Sequence, residues 1–471
     1  MRHRTFLYFP IEIAARELDA RLLLAHFAVL GNAEVILGQK WLMETNLTAM
    51  PRGVWLFKTL TPRDSRVMRK IKACGHAVAA IDEEVTALAE GTDGLTWVSD
   101  AGISLTDKLF CQGEEHHKSL VGRWPEHASK YEVTGNPRWD LLRPELRGIF
   151  ASSSEALRAA HGRIILINTN SSIGNPAKGK TGEQLIQELA DSGKISLATP
   201  EQRAKWSDYL AFDRANLDAT LKLVLTLSQR YPEHFIVLRP HPSEGSEFYR
   251  NGLAGLKNVG VIFDGSAATW IAAADVLIHT QCTTGIEAFA LGKPAINFEV
   301  APSPVNTRNI SGRLSIVAQS EAEVLAHVAK RLAGAGAMSD VRKNAFTTFR
   351  RFFAAQDGEL AAEKVTRQLA TLAAPLGHQS SAASDQSIWR PDWTFRPRWR
   401  MSGHRRKVFP PVTAEALQNR LSQLAQALGH DETAQVTGIG DSLFHVRRMG
   451  TGAPPVGTMV GRLASRLLKG S

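Results

Sequence analysis

The sequence DVLIHTQCTTGIEAFALGKPAINF, residues 275–298, predicts a strand, a polar loop, a helix and a second strand. Apolar residues form the two strands, Asp275–Ile278 and Pro294–Phe298, and Thr283 opens the helix between them. Gly292 ends that helix. Two strands joined by a helix over so short a distance are typical of a parallel sheet.

The same alternation of strands and helices runs through most of the chain. One series begins at the strand Thr5–Phe9, and a second begins at Arg163–Asn168. This pattern predicts an α/β protein with two Rossmann-like domains that face a cleft. We expect domains at 1–155 and 156–345, helices that pack back across both at 346–372, and a basic extension at 373–471.

The composition of the 471 residues is that of an ordered globular protein. It is 44% apolar and 22% charged, which excludes global disorder. No stretch approaches the roughly 18 consecutive apolar residues that span a bilayer. Three cysteines are too few for a disulfide framework, so we expect a cytoplasmic protein.

The formal net charge of +10 is concentrated near the C-terminus. Residues 380–471 carry 13 Lys+Arg and six Asp+Glu, whereas the preceding residues carry 43 and 40. Within 389–409, the rings of Trp389, Trp393 and Trp399 alternate with arginines. We favour peripheral contact with the inner membrane for this segment. The alternatives are packing against the body of the protein and, least favoured, nucleic-acid binding.

The stretch Val237–Pro242 places functional side chains at a strand end. Arg239 and His241 follow the apolar strand, and the prolines at 240 and 242 fix the backbone around His241. An imidazolium beside a guanidinium suits a phosphate whose negative charge grows as a sugar–phosphate bond breaks. A solvated surface turn is the alternative.

The helix start after residue 282 forms a second candidate anion site. Thr283, Thr284 and Gly285 lie where backbone N–H groups and the helix dipole favour a phosphate. Glu287, in the first turn, can accept hydrogen bonds from ribose hydroxyls, or it is simply a helix-start acid.

Three carboxylates follow the predicted strand 76–81, namely Asp82, Glu83 and Glu84. Deprotonation of a sugar hydroxyl needs a carboxylate whose pKa is raised by a neighbouring negative charge. Asp82 or Glu83 is the candidate base. An acidic helix N-terminus is the alternative interpretation.

These motifs together resemble those of GT-B glycosyltransferases that use CMP-activated sugars. Arg-Pro-His-Pro at 239–242 and Thr-Thr-Gly-Ile-Glu at 283–287 are similar to motifs of bacterial sialyltransferases, β-Kdo transferases and CDP-glycerol glycerophosphotransferases. The turn 134–140, with Arg138, and the segment 167–170 extend the resemblance to bacterial surface carbohydrate biosynthesis proteins. It covers about residues 1–370.

The resemblance implies an inverting, metal-independent glycosyltransferase of capsule or lipopolysaccharide assembly. Its donor would be a CMP-sugar of the Kdo or sialic-acid type, its acceptor a glycan or a lipid-linked glycan, and no cofactor is expected. Asp82 or Glu83 would be the base, and His241 would stabilise the CMP leaving group. The implied substrate-binding residues are Asn168, Asn170, Arg138, Arg239, Thr283, Thr284, Gly285 and Glu287.

Other activities stay open at this point. The first is a CDP-glycerol or polyol-phosphate transferase of the same fold, and the second is a UDP-sugar epimerase. Residues 174–181 also match the P-loop pattern, which would indicate an NTPase, although six residues separate them from the predicted strand 164–167. We interpret Glu114–His117 as a solvated helix face and expect no metal site.

Overall fold

Two sheets of mainly parallel strands organise the chain in a computed structural model. It describes residues 5–84, 95, 97–192, 194–301, 310–334, 339–379, 406, 408–440 and 442–449. The first sheet contains β1 (Thr5–Ile11), β2 (Ala33–Gln39), β3 (Gly53–Phe57), β4 (Ala77–Ile81), β5 (Lys108–Cys111) and β6 (Tyr131–Val133). The second contains β7 (Arg163–Asn168), β8 (His234–Arg239), β9 (Val259–Val261), β10 (Val276–His279), β11 (Ala295–Phe298) and β12 (Ile316–Ala318). A C-terminal hairpin, β13 (Ala434–Gly440) and β14 (Leu443–Arg448), completes the first sheet.

Helices connect these strands. Those of the first sheet are α1 (Ala14–Leu30), α2 (Lys40–Thr45), α3 (Pro62–Ala73), α4 (Asp100–Leu105), α5 (Glu114–Arg123) and α6 (Pro137–Asp140). Next come α7 (Ala151–His161), α8 (Gly182–Asp191), α9 (Pro200–Arg230), α10 (Ser246–Gly252), α11 (Ala267–Ala273), α12 (Thr284–Leu291), α13 (Ile310–Arg313) and α14 (Glu321–Leu332). The last are α15 (Ser339–Phe352), α16 (Ala361–Gln379) and α17 (Ala414–Ala427). Short 3-10 turns lie at Leu47–Ala49, Pro125–Lys130, Arg147–Phe150 and Ala177–Gly179.

The strand orders confirm the predicted α/β class with two Rossmann-like sheets. The second sheet runs β12-β11-β10-β7-β8-β9, all parallel, which is the doubly wound order counted from β7. The first sheet runs β13-β14-β2-β1-β3-β4-β5-β6. Among the parallel strands of each sheet the direction of winding reverses once, between β7 and β10 and between β1 and β3. Ligands of such sheets bind outside the carboxyl ends of strands at these reversal points.

The described residues form two units. The described residues within 5–84, 97–141 and 350–449 make the first, and those within 142–349 make most of the second. After the second sheet is complete, α16 returns to the first unit, where it packs on α1, β1 and β3. Asp140 fixes the start of this helix, because its carboxylate accepts the N–H groups of Ala361 and Ala362 at 3.0 and 2.8 Å.

The long helix α9 begins earlier than its apolar pattern indicates. That pattern predicts a helix at about 213–229, whereas the observed helix starts at Pro200. Thr199 and Gln202 form a reciprocal capping box around this start, and proline occupies the first helical position. The N-terminal part is therefore specified by its cap and not by burial against the sheet.

The hairpin near the C-terminus covers the β2 edge of the first sheet. β14 pairs antiparallel with β2, from Leu443 opposite Gly38 to Val446 opposite Val35. α17 packs on α1, and Arg420 of α17 donates two hydrogen bonds, at 2.9 and 2.7 Å, to the carboxylate of Asp19. The described part of the extension thus belongs to the first unit. Residues 389–405, which carry the Trp/Arg motif, lie outside the described residues.

Substitution of Gly38 tests the docking of this hairpin. Gly38 has φ +147°, and a Cβ there would lie 2.2 Å from the carbonyl oxygen of Ser442. We expect Gly38→Ala to lower the free energy of unfolding by about 2 kcal/mol or more, because the strand pair must separate or strain. Urea unfolding followed by circular dichroism measures this.

Gly122→Ala in α5 is the matched control, since a Cβ at Gly122 has no atom within 4 Å. It should leave stability unchanged or raise it slightly. Equal stabilities of the two variants would show that the hairpin does not constrain β2.

Candidate functional site

A row of polar side chains crosses the second sheet at the carboxyl ends of four strands. Asn168 of β7 is paired with His279 of β10 and Arg239 of β8, and His279 is paired with Asn297 of β11. Residues paired in parallel register point to the same face of a sheet. The reversal point between β7 and β10 lies within this row, so these side chains occupy the edge where a ligand is expected.

Two members of the row have buried polar atoms that lack a partner among the described residues. Both side-chain atoms of the Asn168 amide lack a hydrogen bond, although the residue is only 3% exposed. His279 contacts the Ser315 hydroxyl through Nε2 at 2.8 Å, while its buried Nδ1 has no partner. Burial lowers the pKa of His279 to about 3, so the ring is neutral. Such unsatisfied groups are typical of a site that takes a ligand or ordered water.

The loop after β8 fixes His241 from both sides. Its backbone N–H donates to Oε1 of Glu244 at 3.0 Å, and its Nδ1 accepts the N–H of Ser243 at 3.2 Å. Because Nδ1 is an acceptor, the proton of the neutral ring is on Nε2. Glu244 is itself buried and also accepts the hydroxyls of Thr169 and Tyr249, at 2.8 and 2.5 Å. The loop is thereby tied to the end of β7.

The Arg239 side chain donates its hydrogen bonds to other residues of the protein. Its guanidinium donates to the carbonyl oxygens of Phe263, Asp264 and Gly265 at 3.3, 2.6 and 3.0 Å, and it lies over the ring of Trp270. Burial lowers the pKa of Arg239 to about 10. The structure thus shows Arg239 holding the loop after β9, beside the predicted site.

The predicted anion site at residues 283–285 lies at the start of α12. Thr283 is the N-cap residue, and Gly285 packs against His279 so closely that a Cβ would lie 2.4 Å from Nε2 of the ring. Only glycine fits at that position without displacement of the helix start. Glu287 is buried in the first turn, and its charge acts to raise the pKa of Arg239. Residues after β8 and β10 therefore meet at one edge.

Asn170 lies at the same edge. Its N–H donates to the hydroxyl of Thr280 at 2.9 Å, and the side chain lines a small recess with Tyr209 and Asp213 of α9. The structure thus brings together Asn168, Asn170, Arg239, His241, Thr283, Thr284, Gly285 and Glu287 in the second unit.

The P-loop match adopts a different arrangement from a phosphate-binding loop. The N–H of Gly174 donates to the Asp213 carboxylate at 2.7 Å, and Lys180 pairs with Glu188 of α8 at 2.5 Å. The Thr181 hydroxyl caps α8. In a P-loop, the backbone N–H groups, the lysine and the hydroxyl contact phosphate. Here the N–H of Gly174, the ammonium of Lys180 and the hydroxyl of Thr181 contact other protein groups, and the Asp213 carboxylate lies where the loop would hold a phosphate.

Asp82 follows β4 in the first unit and is 1% exposed. Its carboxyl oxygens accept hydrogen bonds from the backbone N–H of Glu84 at 3.0 Å and from the Nε1–H of Trp97 at 2.8 Å. Burial, with smaller contributions from the charges of Glu84 and Glu83, raises the pKa of Asp82 to about 7. The expected raised pKa is present, but desolvation is its main cause rather than a like charge.

The next two carboxylates are neutralised by arginines of α1. Glu83 forms an ion pair with Arg21 at 3.2 Å, and both side chains are 1% exposed. Glu84 pairs with Arg16 at 3.0 Å. Burial alone would raise the pKa of Glu84, but the charges of Arg16 and Lys58 lower it, with a smaller effect from Arg138. Arg138, at the start of α6, therefore lies near this acidic segment.

The interpretation of Glu114–His117 as a solvated face is wrong for one residue. His116 is buried, its Nδ1 accepts the N–H of Gln112 at 3.2 Å, and burial lowers its pKa to about 3. Within the described part of the chain, no group of three or more His, Cys, Asp or Glu side chains is arranged to hold a metal ion. Nor does any described helix combine the length and apolarity needed to cross a membrane.

Sequence reasoning missed Glu244, His279 and Asp213. His279 is the polar last residue of an apolar strand, the same signal that marks Asn168 and Arg239. Glu244 follows the Pro-His-Pro turn by two residues, a spacing that lets a carboxylate fold back on the turn's N–H groups. Asp213 accepts the N–H groups of Ile173 and Gly174 from a helix 40 residues away, which no local pattern indicates.

No family model matches the chain, and no curated protein matches it. Solved structures with similarity include the UDP-GlcNAc 2-epimerase of Neisseria meningitidis bound to UDP-GlcNAc, at 12% identity, over 78% of this chain and 98% of that one, with a TM-score of 0.44. The wall teichoic acid polymerase TagF is similar at 12% identity, over 80% and 89% of the two chains, with a TM-score of 0.47. These values are too low to assign an activity, and the α/β fold rests on the two sheets themselves.

The raised pKa of Asp82 predicts a pH-dependent stability. Its pKa is about 7 in the folded chain and near 3.8 when unfolded. Between these values only the folded state keeps the proton, so the contribution of Asp82 to stability falls as pH rises from about 4 to about 7. Asp82→Asn does not titrate. Its stability relative to wild type should therefore rise by on the order of 2–4 kcal/mol between pH 4 and pH 8.

Urea unfolding at several pH values checks this, and only the change with pH is diagnostic, since the amide also faces two N–H donors. Asp208→Asn, at an exposed position of α9, is the control and should show a far smaller change. A constant difference between wild type and Asp82→Asn would contradict the assignment.

Proposed function

We propose that the protein is an inverting, metal-independent glycosyltransferase that uses a CMP-activated sugar in the assembly of a bacterial surface polysaccharide. The observation that carries this proposal is the fixation of His241, which leaves Nε2 as the protonated ring nitrogen at the carboxyl edge of the second sheet. A fixed N–H donor after β8, one strand from the reversal point of a parallel sheet, suits the phosphate of a nucleotide donor.

In the proposed reaction His241 stabilises the leaving group. As the acceptor oxygen attacks the anomeric carbon, the bond from that carbon to the phosphate oxygen breaks and CMP gains negative charge. The Nε2–H of His241 donates to this oxygen, and the start of α12 at Thr283 and Thr284 holds the phosphate. The unsatisfied amide of Asn168 supplies a further hydrogen bond within the same edge. Glu287 and Asn170 contact the nucleoside.

Asp82 is the proposed base that takes the proton of the acceptor hydroxyl. A general base is most effective when its pKa is close to the working pH, and the pKa of Asp82 is about 7. Glu83 is less suitable, because its carboxylate is paired with Arg21 in a buried site. Arg138 binds the negatively charged substrate near Glu84.

A transferase with a CDP-linked glycerol or polyol donor is the second candidate, because such a donor presents a phosphate to the same His241 N–H. A UDP-sugar epimerase ranks third. The engagement of Gly174, Lys180 and Thr181 in other contacts disfavours the NTPase interpretation.

A nucleotide screen separates these activities. CMP and CMP-Kdo should raise the midpoint of thermal unfolding more than CDP-glycerol, UDP-GlcNAc or ATP at equal concentration. A ligand present at 100 times its Kd stabilises the folded state by about 2.7 kcal/mol. Protection by UDP-GlcNAc alone, or by ATP alone, would contradict the proposal, and preferential protection by CDP-glycerol would support the second candidate.

Removal of the His241 ring tests the mechanism. His241→Ala should lower the rate of CMP release from the donor by roughly 100-fold or more, because the leaving group loses its hydrogen-bond donor. Thermal unfolding should be nearly unchanged, since the loop stays fixed by Glu244. His327→Ala on α14, outside the site, is the control. Normal turnover by His241→Ala would exclude this role.

A further inference from the structure

A groove on the second unit lies between α8 and the first half of α9. Its volume is about 330 Å³, within the range of small-molecule sites. Its apolar lining comes from Ile186 of α8, Leu197 of the connecting loop, and Trp206 and Leu210 of α9. It is separate from the recess at the carboxyl edge of the sheet.

The apolar cluster below this groove is incomplete. Ile173, Ile186 and Leu210 are its buried members, whereas six further apolar side chains packed against them are only partly buried. The six are Leu185, Leu189, Ile195, Leu197, Trp206 and Tyr209. Two of these six side chains, Leu197 and Trp206, line the groove, so an apolar ligand there would cover apolar surface that the protein leaves partly exposed.

The groove shares one helix with the proposed donor site. On α9 the rings of Trp206 and Tyr209 contact edge to face with centroids 5.8 Å apart, and Tyr209 stacks on Phe212 at 5.9 Å. Trp206 lines the groove, while Tyr209 and Phe212 line the recess beside Asn170. A ligand in the groove would therefore lie one to two helical turns from the reacting edge.

The polar side chains around the groove favour an anionic head group. The guanidinium of Arg203 donates to the carbonyl oxygens of Leu197 and Ala198, at 2.7 and 3.2 Å, and has no carboxylate partner among the described residues. Arg214 pairs with Glu183 at 3.0 Å, and both are exposed. Arg203 thus places a positive charge without a carboxylate partner, among the described residues, beside the apolar part of the groove.

We propose that this groove binds the alkyl or isoprenoid chain of a single lipid molecule whose phosphate contacts Arg203. The apolar lining takes the chain, and the guanidinium takes the phosphate. That this lipid is the acceptor of the transfer rests on the proposed function, whereas the binding itself does not.

Decyl phosphate below its micelle concentration is the probe. We expect it to bind wild type with a stoichiometry of one, measured by isothermal titration calorimetry. Ala211 is exposed and lines the groove. Ala211→Trp therefore fills the groove and should weaken binding of decyl phosphate at least about tenfold. Ala204→Trp introduces the same side chain at an exposed position of α9 outside the groove and should bind as wild type does.

The head group is tested with Arg203→Ala, which should weaken binding of decyl phosphate but not of decanol. The proposal is overturned if decyl phosphate does not bind, or if both tryptophan variants bind it equally. It is also overturned if Arg203→Ala leaves the preference for phosphate unchanged. A change of oligomeric state in Ala211→Trp without lipid binding would instead assign the groove to a contact between copies. Thermal protection by CMP, measured on the same variants, reports on the donor site alone, so failure of either proposal is distinguishable.

Discussion

The buried carboxylate of Glu244 holds together the edge of the second sheet on which the site depends. One of its oxygens accepts both the Thr169 hydroxyl after β7 and the N–H of His241 after β8, and the other accepts the Tyr249 hydroxyl. Each buried donor would cost about 1–3 kcal/mol if it lost its partner. Burial nevertheless raises the pKa of Glu244, because these neutral donors do not fully replace water. The backbone of His241 is therefore coupled, through Glu244, to the buried residues Thr169 and Tyr249.

At the carboxyl edge of the first sheet, buried carboxylates are paired with positively charged side chains, whereas Glu244 in the second sheet is held by neutral donors. Glu17 is fully buried and accepts from Lys58 at 3.0 Å, and Glu83 is paired with Arg21. Asp82 differs in that its partners are an indole and a backbone amide, which carry no charge. Desolvation then dominates, and the pKa rises to about 7. Asp82 and Glu83 are adjacent in the sequence, yet they differ in their partners: neutral N–H donors for Asp82 and a charged guanidinium for Glu83.

The sequence predicts the two parallel sheets because buried parallel strands are continuous apolar runs. The apolar runs Ile164–Ile167 and Val276–Ile278 are continuous, and each is closed by a polar residue, Asn168 or His279, rather than by glycine or proline. The four-residue strand β5 and the hairpin strand β14, which joins the sheet by pairing with the distant β2, have a weaker local pattern. The residues of the candidate site differ in the same way, some being marked by local sequence and others only by tertiary contacts. His241 and Gly285 are marked by neighbouring prolines and by a helix start, whereas Asp213 and Glu244 act through contacts that exist only in the folded chain.

The structure of the C-terminal extension accounts for part of the positive net charge. Without it, β2 would be an edge strand with unpaired N–H and C=O groups, and such edges promote aggregation. β14 satisfies this edge, and the arginine of α17 that binds Asp19 is one of the excess cations. Part of the positive charge therefore serves the stability of the first unit. Five further arginines lie within 390–405, and their alternation with tryptophan is a different pattern from that of the hairpin. The sequence of the extension thus combines a hairpin that pairs with the protein's own sheet and a Trp/Arg-rich segment of different composition.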